Sequence, residues 1–97
     1  MPYIGGMIRS FRSKSLETFF RTGNARRLSV QNAERLRRIL LAIDDADRPE
    51  DLNLPGFYFH SLAGDQKGRY SLRVSGNWRI TFGWDQGAID LNLEDYH

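Results

Sequence analysis

The chain has 97 residues, a formal net charge of only +2 and no cysteine. That length predicts one domain with one modest core, and the missing thiols exclude disulfides, a thiolate nucleophile and thiolate metal sites. No apolar run reaches the roughly 20 residues of a membrane helix and no secretory pattern is visible, so the expectation is a cytoplasmic, membrane-free protein.

The charge is uneven. Residues 1–50 hold 10 Lys/Arg against 6 Asp/Glu, and residues 51–97 hold 4 against 6. A basic first half suits phosphates or an acidic partner protein; a solvated helix surface explains it equally well. Twelve aromatic side chains, 2 Trp, 4 Tyr and 6 Phe, offset the small size because each buries much area.

Residues 1–6, with Pro2, Gly5 and Gly6, read as a flexible leader. Residues 7–97 form the predicted domain. Residues 7–11 read as a short strand. Ser13 or Ser15 caps a helix through about Arg21, with Leu16, Phe19 and Phe20 on one side and Gly23 as its stop. Ser29 is the cap expected for a second helix from Val30 to about Ala46. Its stripe is Ala33, Leu36, Leu40 and Ile43, and Asp44, Asp45, Asp47 and Pro49 end it. A short link makes the two helices an antiparallel pair able to lie on a sheet.

After a turn at residues 53–56, residues 57–62 read as a strand and 63–68 as a polar loop. Tyr70, Leu72 and Val74 then alternate with Arg69, Ser71 and Arg73, and Ser75, Gly76 and Asn77 turn the chain. Trp78, Ile80, Phe82 and Trp84 alternate with Arg79, Thr81 and Gly83. Across the turn at 85–87, Ile89, Leu91 and Leu93 alternate with Ala88, Asp90 and Asn92. Three consecutive strands thus form an antiparallel meander whose second face carries Arg73 and Arg79. The fold class is α+β, with two N-terminal helices packed on a small, mostly antiparallel sheet.

The chain ends on Asp95, Tyr96 and His97. Together with His60, Asn77, Arg73 and Arg79 these side chains suit metal-free RNA cleavage. A base takes the 2′-hydroxyl proton, an acid protonates the leaving 5′-oxygen, and a cation holds the charge growing on phosphate. Histidine titrates near neutrality, and arginine's planar fork matches phosphate oxygens. Each residue also has a plainer reading: His60 as a structural histidine, the arginines as edge guards, Asn77 as a turn residue, and 95–97 as a frayed end. No P-loop, dinucleotide fingerprint or HExxH spacing occurs, and with two histidines no metal and no cofactor are expected.

The run GRYSLRVSGNWRITF at 68–82, the ending LEDYH at 93–97 and the opening MIRSF at 7–11 resemble the HigB toxins of the RelE/ParE superfamily. The likeness implies a type II toxin–antitoxin toxin: a ribosome-dependent endoribonuclease that cuts mRNA by 2′-hydroxyl attack and so inhibits translation. It implies a HigA-type helix-turn-helix antitoxin, and operator DNA bound only through the complex. By position it makes His97 and Asp95 proton-transfer groups and Arg79 the phosphate cation. His60 and Tyr96 assist, and Asn77 contacts substrate; Arg73, read from its place on the polar face and not from the likeness, is grouped with the substrate-binding residues. Many relatives read H-P-L-K-G where this chain has His60, Ser61, Leu62, Ala63 and Gly64, so a cation is missing at Ala63. Lys67 lies near but unaligned, and is grouped with the substrate-binding residues. Two other readings share these features: a ParE-like inhibitor of DNA gyrase acting by protein contact, and a non-enzymatic partner in a transcription-regulating complex.

Overall fold

In the computed structural model, which describes residues 7–28 and 30–95, two helices precede a four-stranded antiparallel sheet whose strands lie side by side in chain order. The leader at 1–6, the cap candidate Ser29, and Tyr96 and His97 lie outside the described residues.

Helix α1 is Lys14–Thr22. Ser13 caps it by accepting the Leu16 N–H on its hydroxyl at 3.1 Å. Gly23, at φ 79°, closes it by donating its N–H to the Phe19 carbonyl at 2.8 Å. Helix α2 is Ala33–Asp45, three residues shorter at its start than predicted. Its cap is Asn32, whose Oδ1 accepts the Arg35 N–H at 3.0 Å. Val30 is buried ahead of the helix and feeds the core as part of the connecting segment. The stripe of α2 is Leu36, Ile39, Leu40 and Ile43, all fully buried. Asp44, near its end, accepts the Ile8 N–H on Oδ1 at 2.9 Å, so one of the acids expected only to stop the helix also anchors the first segment.

The strands are β1 His60–Ser61, β2 Tyr70–Arg73, β3 Trp78–Trp84 and β4 Ala88–Asp95. The predicted strand at 57–62 survives only as β1. Tyr58 adopts φ 52° and Gly56 φ 85°, and a left-handed residue cannot continue an extended ladder. The predicted strand at 7–11 is reduced to a single parallel bridge between Phe11 and Leu91. Arg9 N–H donates to Ala88 O at 2.7 Å and Leu91 N–H to Ser10 O at 3.2 Å, so the segment still lies along β4.

A bulge in β4 explains its burial pattern. Gly83 pairs with Ile89 and Thr81 with Asn92, so three steps on β4 match two on β3. The extra residue is accommodated at Asp90, whose φ is 52°. Its freed N–H finds the Ser10 hydroxyl at 2.8 Å and its carbonyl accepts Arg69 Nη2 at 2.8 Å. The predicted inward trio Ile89, Leu91 and Leu93 is thereby broken. Ala88 and Leu91 are fully buried, while Ile89 packs over Gly83 on the opposite face.

The core joins both layers. Leu16 and Phe19 of α1 and the stripe of α2 meet Leu72, Val74, Ile80, Phe82 and Leu91 of the sheet. This sandwich fixes β2–β4 and leaves their second face to polar chemistry.

Candidate active site on the polar face of the sheet

Pairing sets the site in rows. His60, Ser71, Thr81 and Asn92 occupy one row across the four strands, and Arg73, Arg79 and Glu94 occupy the next. Arg73 and Arg79 are therefore direct cross-strand neighbours of like charge, an arrangement that destabilises a sheet unless something offsets it. Glu94 does so on one side, with Oε1 at 3.7 Å from Arg79 Nη2 and both side chains about four-fifths buried, at 21% and 23% exposure. On the other side the Arg73 guanidinium carbon lies 4.6 Å from the centroid of the Tyr58 ring.

Beneath them runs a buried relay. Arg69 Nη2 donates to Thr81 Oγ1 at 3.1 Å, and the Thr81 hydroxyl donates to Glu94 Oε2. Thr81 is fully buried, so its hydroxyl needs both partners. Burial alone would raise the Glu94 pKa. The Thr81 hydroxyl, then the Arg79 charge, and behind them Gln66 and Arg69, outweigh it and hold the carboxyl below its ordinary 4.5. A folded pKa below the unfolded one stabilises the protein above the ordinary value, and that contribution disappears as pH falls through the folded value. Glu94→Gln should therefore melt below wild type at neutral pH, and the gap should close on acidification. Thermal melts from about pH 7 to 3 measure this; a gap that stays constant with pH would contradict it.

Tyr58, His60, Ser71, Arg73, Trp78 and Arg79 line a recess of about 20 Å³. It has room for a water or one phosphate oxygen, not for an enclosed small molecule.

The residues selected from sequence do not all meet there. His60, Arg73 and Arg79 share the recess. Asn77 is exposed in the β2–β3 turn and lines a hollow with Gln31, Asn32, Ser75, Gly76 and Trp78; among the described residues Trp78 is the one that lines both. Lys67 is exposed in the loop before β2 and is not among the residues lining the recess; Ala63 is likewise exposed. Asp95 is exposed at the end of β4, opposite Trp78 and one pair beyond Arg79–Glu94. Tyr96 and His97 follow it, outside the described residues. Sequence reasoning missed Glu94, Thr81, Arg69 and Tyr58. The first three were accessible, since a period of two places Arg69 and Thr81 on the Arg73 and Arg79 face, and Glu94 next to Asp95.

A profile of RelE-like toxins of the type II toxin–antitoxin system HigB matches residues 9–97. Over 92 residues the chain is 41% identical to "Endoribonuclease HigB" of Proteus vulgaris, covering 94% of this chain and 100% of that protein. Over 95 residues it is 38% identical to "Toxin HigB-1" of Vibrio cholerae serotype O1 (strain ATCC 39315 / El Tor Inaba N16961), covering 94% and 98%. A toxin of this type has an antitoxin partner. Two helices ahead of a four-stranded antiparallel sheet and a match over nearly the whole chain agree: the chain belongs to the HigB-like family of RelE-like type II toxins.

Proposed function

We propose that this toxin is an endoribonuclease that cuts mRNA on the ribosome by 2′-hydroxyl attack and so halts translation. The observation that carries the reading is the Arg73–Arg79 pair, balanced by Glu94 and lying one register row from His60. Two guanidiniums on a half-open face form a phosphate site, and the shallow recess admits a strand, not a small substrate.

The 2′-oxygen attacks phosphorus, the bond from phosphorus to the 5′-oxygen breaks, and a 2′,3′-cyclic phosphate forms. The proton leaving the 2′-hydroxyl passes to a base, and an acid supplies one to the departing 5′-oxygen, so charge and atoms balance. His97 and Asp95 are the proposed proton-transfer groups, and Arg79 stabilises the charge growing on the phosphate oxygens. His60 and Tyr96 assist them. Arg73, Asn77 and Lys67 are the proposed substrate-binding groups, and the grip on phosphate is weaker for the cation missing at Ala63. No metal or cofactor enters this scheme.

The proposed partners are a HigA-type helix-turn-helix antitoxin, the ribosome with its bound message, and operator DNA through the antitoxin alone. The proposed location is the cytoplasm. Among the described residues no helix is long and apolar enough to cross a membrane. With so few catalytic groups, the message must be oriented by the ribosome, so naked RNA should be cut poorly.

The test sets two assays side by side: cleavage of ribosome-bound message and supercoiling by DNA gyrase. Cut message with supercoiling intact supports the proposal. Blocked supercoiling with intact message would replace it with the gyrase reading, and inertness in both would favour a purely regulatory role.

A further inference from the structure

Tyr58 stands out among the aromatic side chains that surround the sheet. The residue is 56% exposed, and its backbone sits at φ 52°, a conformation that bulky residues rarely adopt. Its neighbour Phe59 stacks on Tyr70 at 5.6 Å, and Tyr70 in turn meets Phe82 at 5.7 Å, so that ring belongs to the core layer. The left-handed step at Tyr58 turns its own ring the other way, toward the recess shared with His60, Arg73 and Arg79.

The loop that presents it is fastened at several points. Arg35 reaches across from α2 and donates from Nε to Val74 O at 2.9 Å and from Nη2 to Arg73 O at 2.9 Å and to Gly56 O. The Arg73 N–H donates to Phe57 O at 2.9 Å, and the Phe57 N–H to Leu54 O at 3.1 Å. The end of β2 and the turn before Tyr58 are thus one clamped unit. Arg73 lies over the Tyr58 ring at 4.6 Å, which fixes the ring relative to the arginine pair.

We propose that Tyr58 is a stacking platform for one nucleobase of the message, placed beside the phosphate held by Arg79. This rests on the endoribonuclease reading given above. A single nucleotide offers a flat face and an anion together. The Tyr58–Arg73 stack and the Arg79 guanidinium present a flat aromatic surface and a cation together, around one recess. Unpaired bases are commonly bound on tyrosine rings and guanidinium planes, because every base has a π-face. A platform of this kind needs a rigid, exposed ring, which the strained backbone and the Arg35 clamp supply.

The test uses the full-length toxin on ribosomes programmed with a short message. Tyr58→Leu should lower the single-turnover cleavage rate by roughly tenfold, the loss of about one base–aromatic stack. Tyr58→Phe, which keeps the ring, should restore it. A series of messages, each with an abasic nucleotide at one codon position, then locates the base. At the stacked position wild type and Tyr58→Leu should cut equally slowly, and elsewhere they should differ. The inference is overturned if Tyr58→Leu cuts at the wild-type rate. It is overturned as well if its deficit is the same on every abasic message, which would mean a general structural role. Unchanged cleavage with weakened antitoxin binding would assign the ring to a protein contact instead. If wild type itself cuts no message, the endoribonuclease reading fails and this inference fails with it; the other outcomes overturn the inference alone.

Discussion

Arg79→Ala is expected to lower message cleavage by about 10²–10³-fold, the size seen when one charge-stabilising group is removed from a site that stabilises a growing anion. Arg79 is central to the polar row. Its Nη2 approaches Glu94 at 3.7 Å, and it lines the recess beside His60 and Arg73. Arg79→Lys should recover little, since an ammonium cannot offer a planar fork to two phosphate oxygens. The fold should survive, because Glu94 keeps Thr81 as a partner when Arg79 is gone. His97→Ala should match the loss through a different step, proton transfer, worth about 10²–10⁴-fold. Growth arrest on expression and end-mapping of ribosome-bound message both read these effects. If both variants arrest growth and cut message as wild type does, the site is assigned to the wrong residues.

Gly87→Ala should be the most damaging of the small substitutions to stability. Gly87 turns β3 into β4 at φ 139°, where only glycine is at ease. A Cβ there would collide with the Met7 carbonyl and come within 3.2 Å of the Arg9 side chain. Both neighbours are tied: the Arg9 backbone N–H donates to Ala88 O and its Nη1 to Asp85 O, and the Ile8 N–H donates to Asp44. Backbone strain and overpacking together should cost about 2–5 kcal/mol, which in a domain of this size lowers Tm by roughly 10–30 °C. Gly76→Ala is the control. It lies in the β2–β3 turn with nothing within 4 Å of an added Cβ, and its Tm should stay near wild type. Equal melting of the two variants would mean that the segment at 7–12 is not held against β4.

The helices and the long strands could be read from sequence because each rests on a strong local signal. Ser13 and Gly23 bracket α1 as expected, and the 3.6-residue stripe of α2 is buried as its spacing requires. The alternation from Trp78 to Trp84 likewise sorts Ile80 and Phe82 to the core and Arg79 to the other face. What the sequence hid depends on contacts between distant segments. The bulge at Asp90 exists because Ser10 and Arg69, 80 and 21 residues away, take its backbone groups. Strict alternation assigned Ile89 to the core for that reason. The apolar run at 57–59 looks like strand, yet a left-handed Tyr58 divides it. Helix α2 starts at Ala33, so its cap is Asn32, whose side chain accepts the Arg35 N–H.

The candidate site shows the same division. Cross-strand neighbours such as Arg73 and Arg79 follow from counting along a meander, and their pairing is observed. Glu94 was overlooked in favour of Asp95, although its pairing opposite Arg79 follows from the same counting. The approach of Tyr58 to Arg73 could not be counted, since the loop that brings them together is set by Arg35 reaching from α2.

The chemistry of the cut ends identifies the nucleophile. Message cleaved on ribosomes by this toxin should carry a 2′,3′-cyclic phosphate on the upstream fragment and a 5′-hydroxyl on the downstream one, and Arg79→Ala should yield the same ends far more slowly. A 3′-hydroxyl with a 5′-phosphate would require water, not the neighbouring 2′-oxygen, as the nucleophile, and would contradict the account.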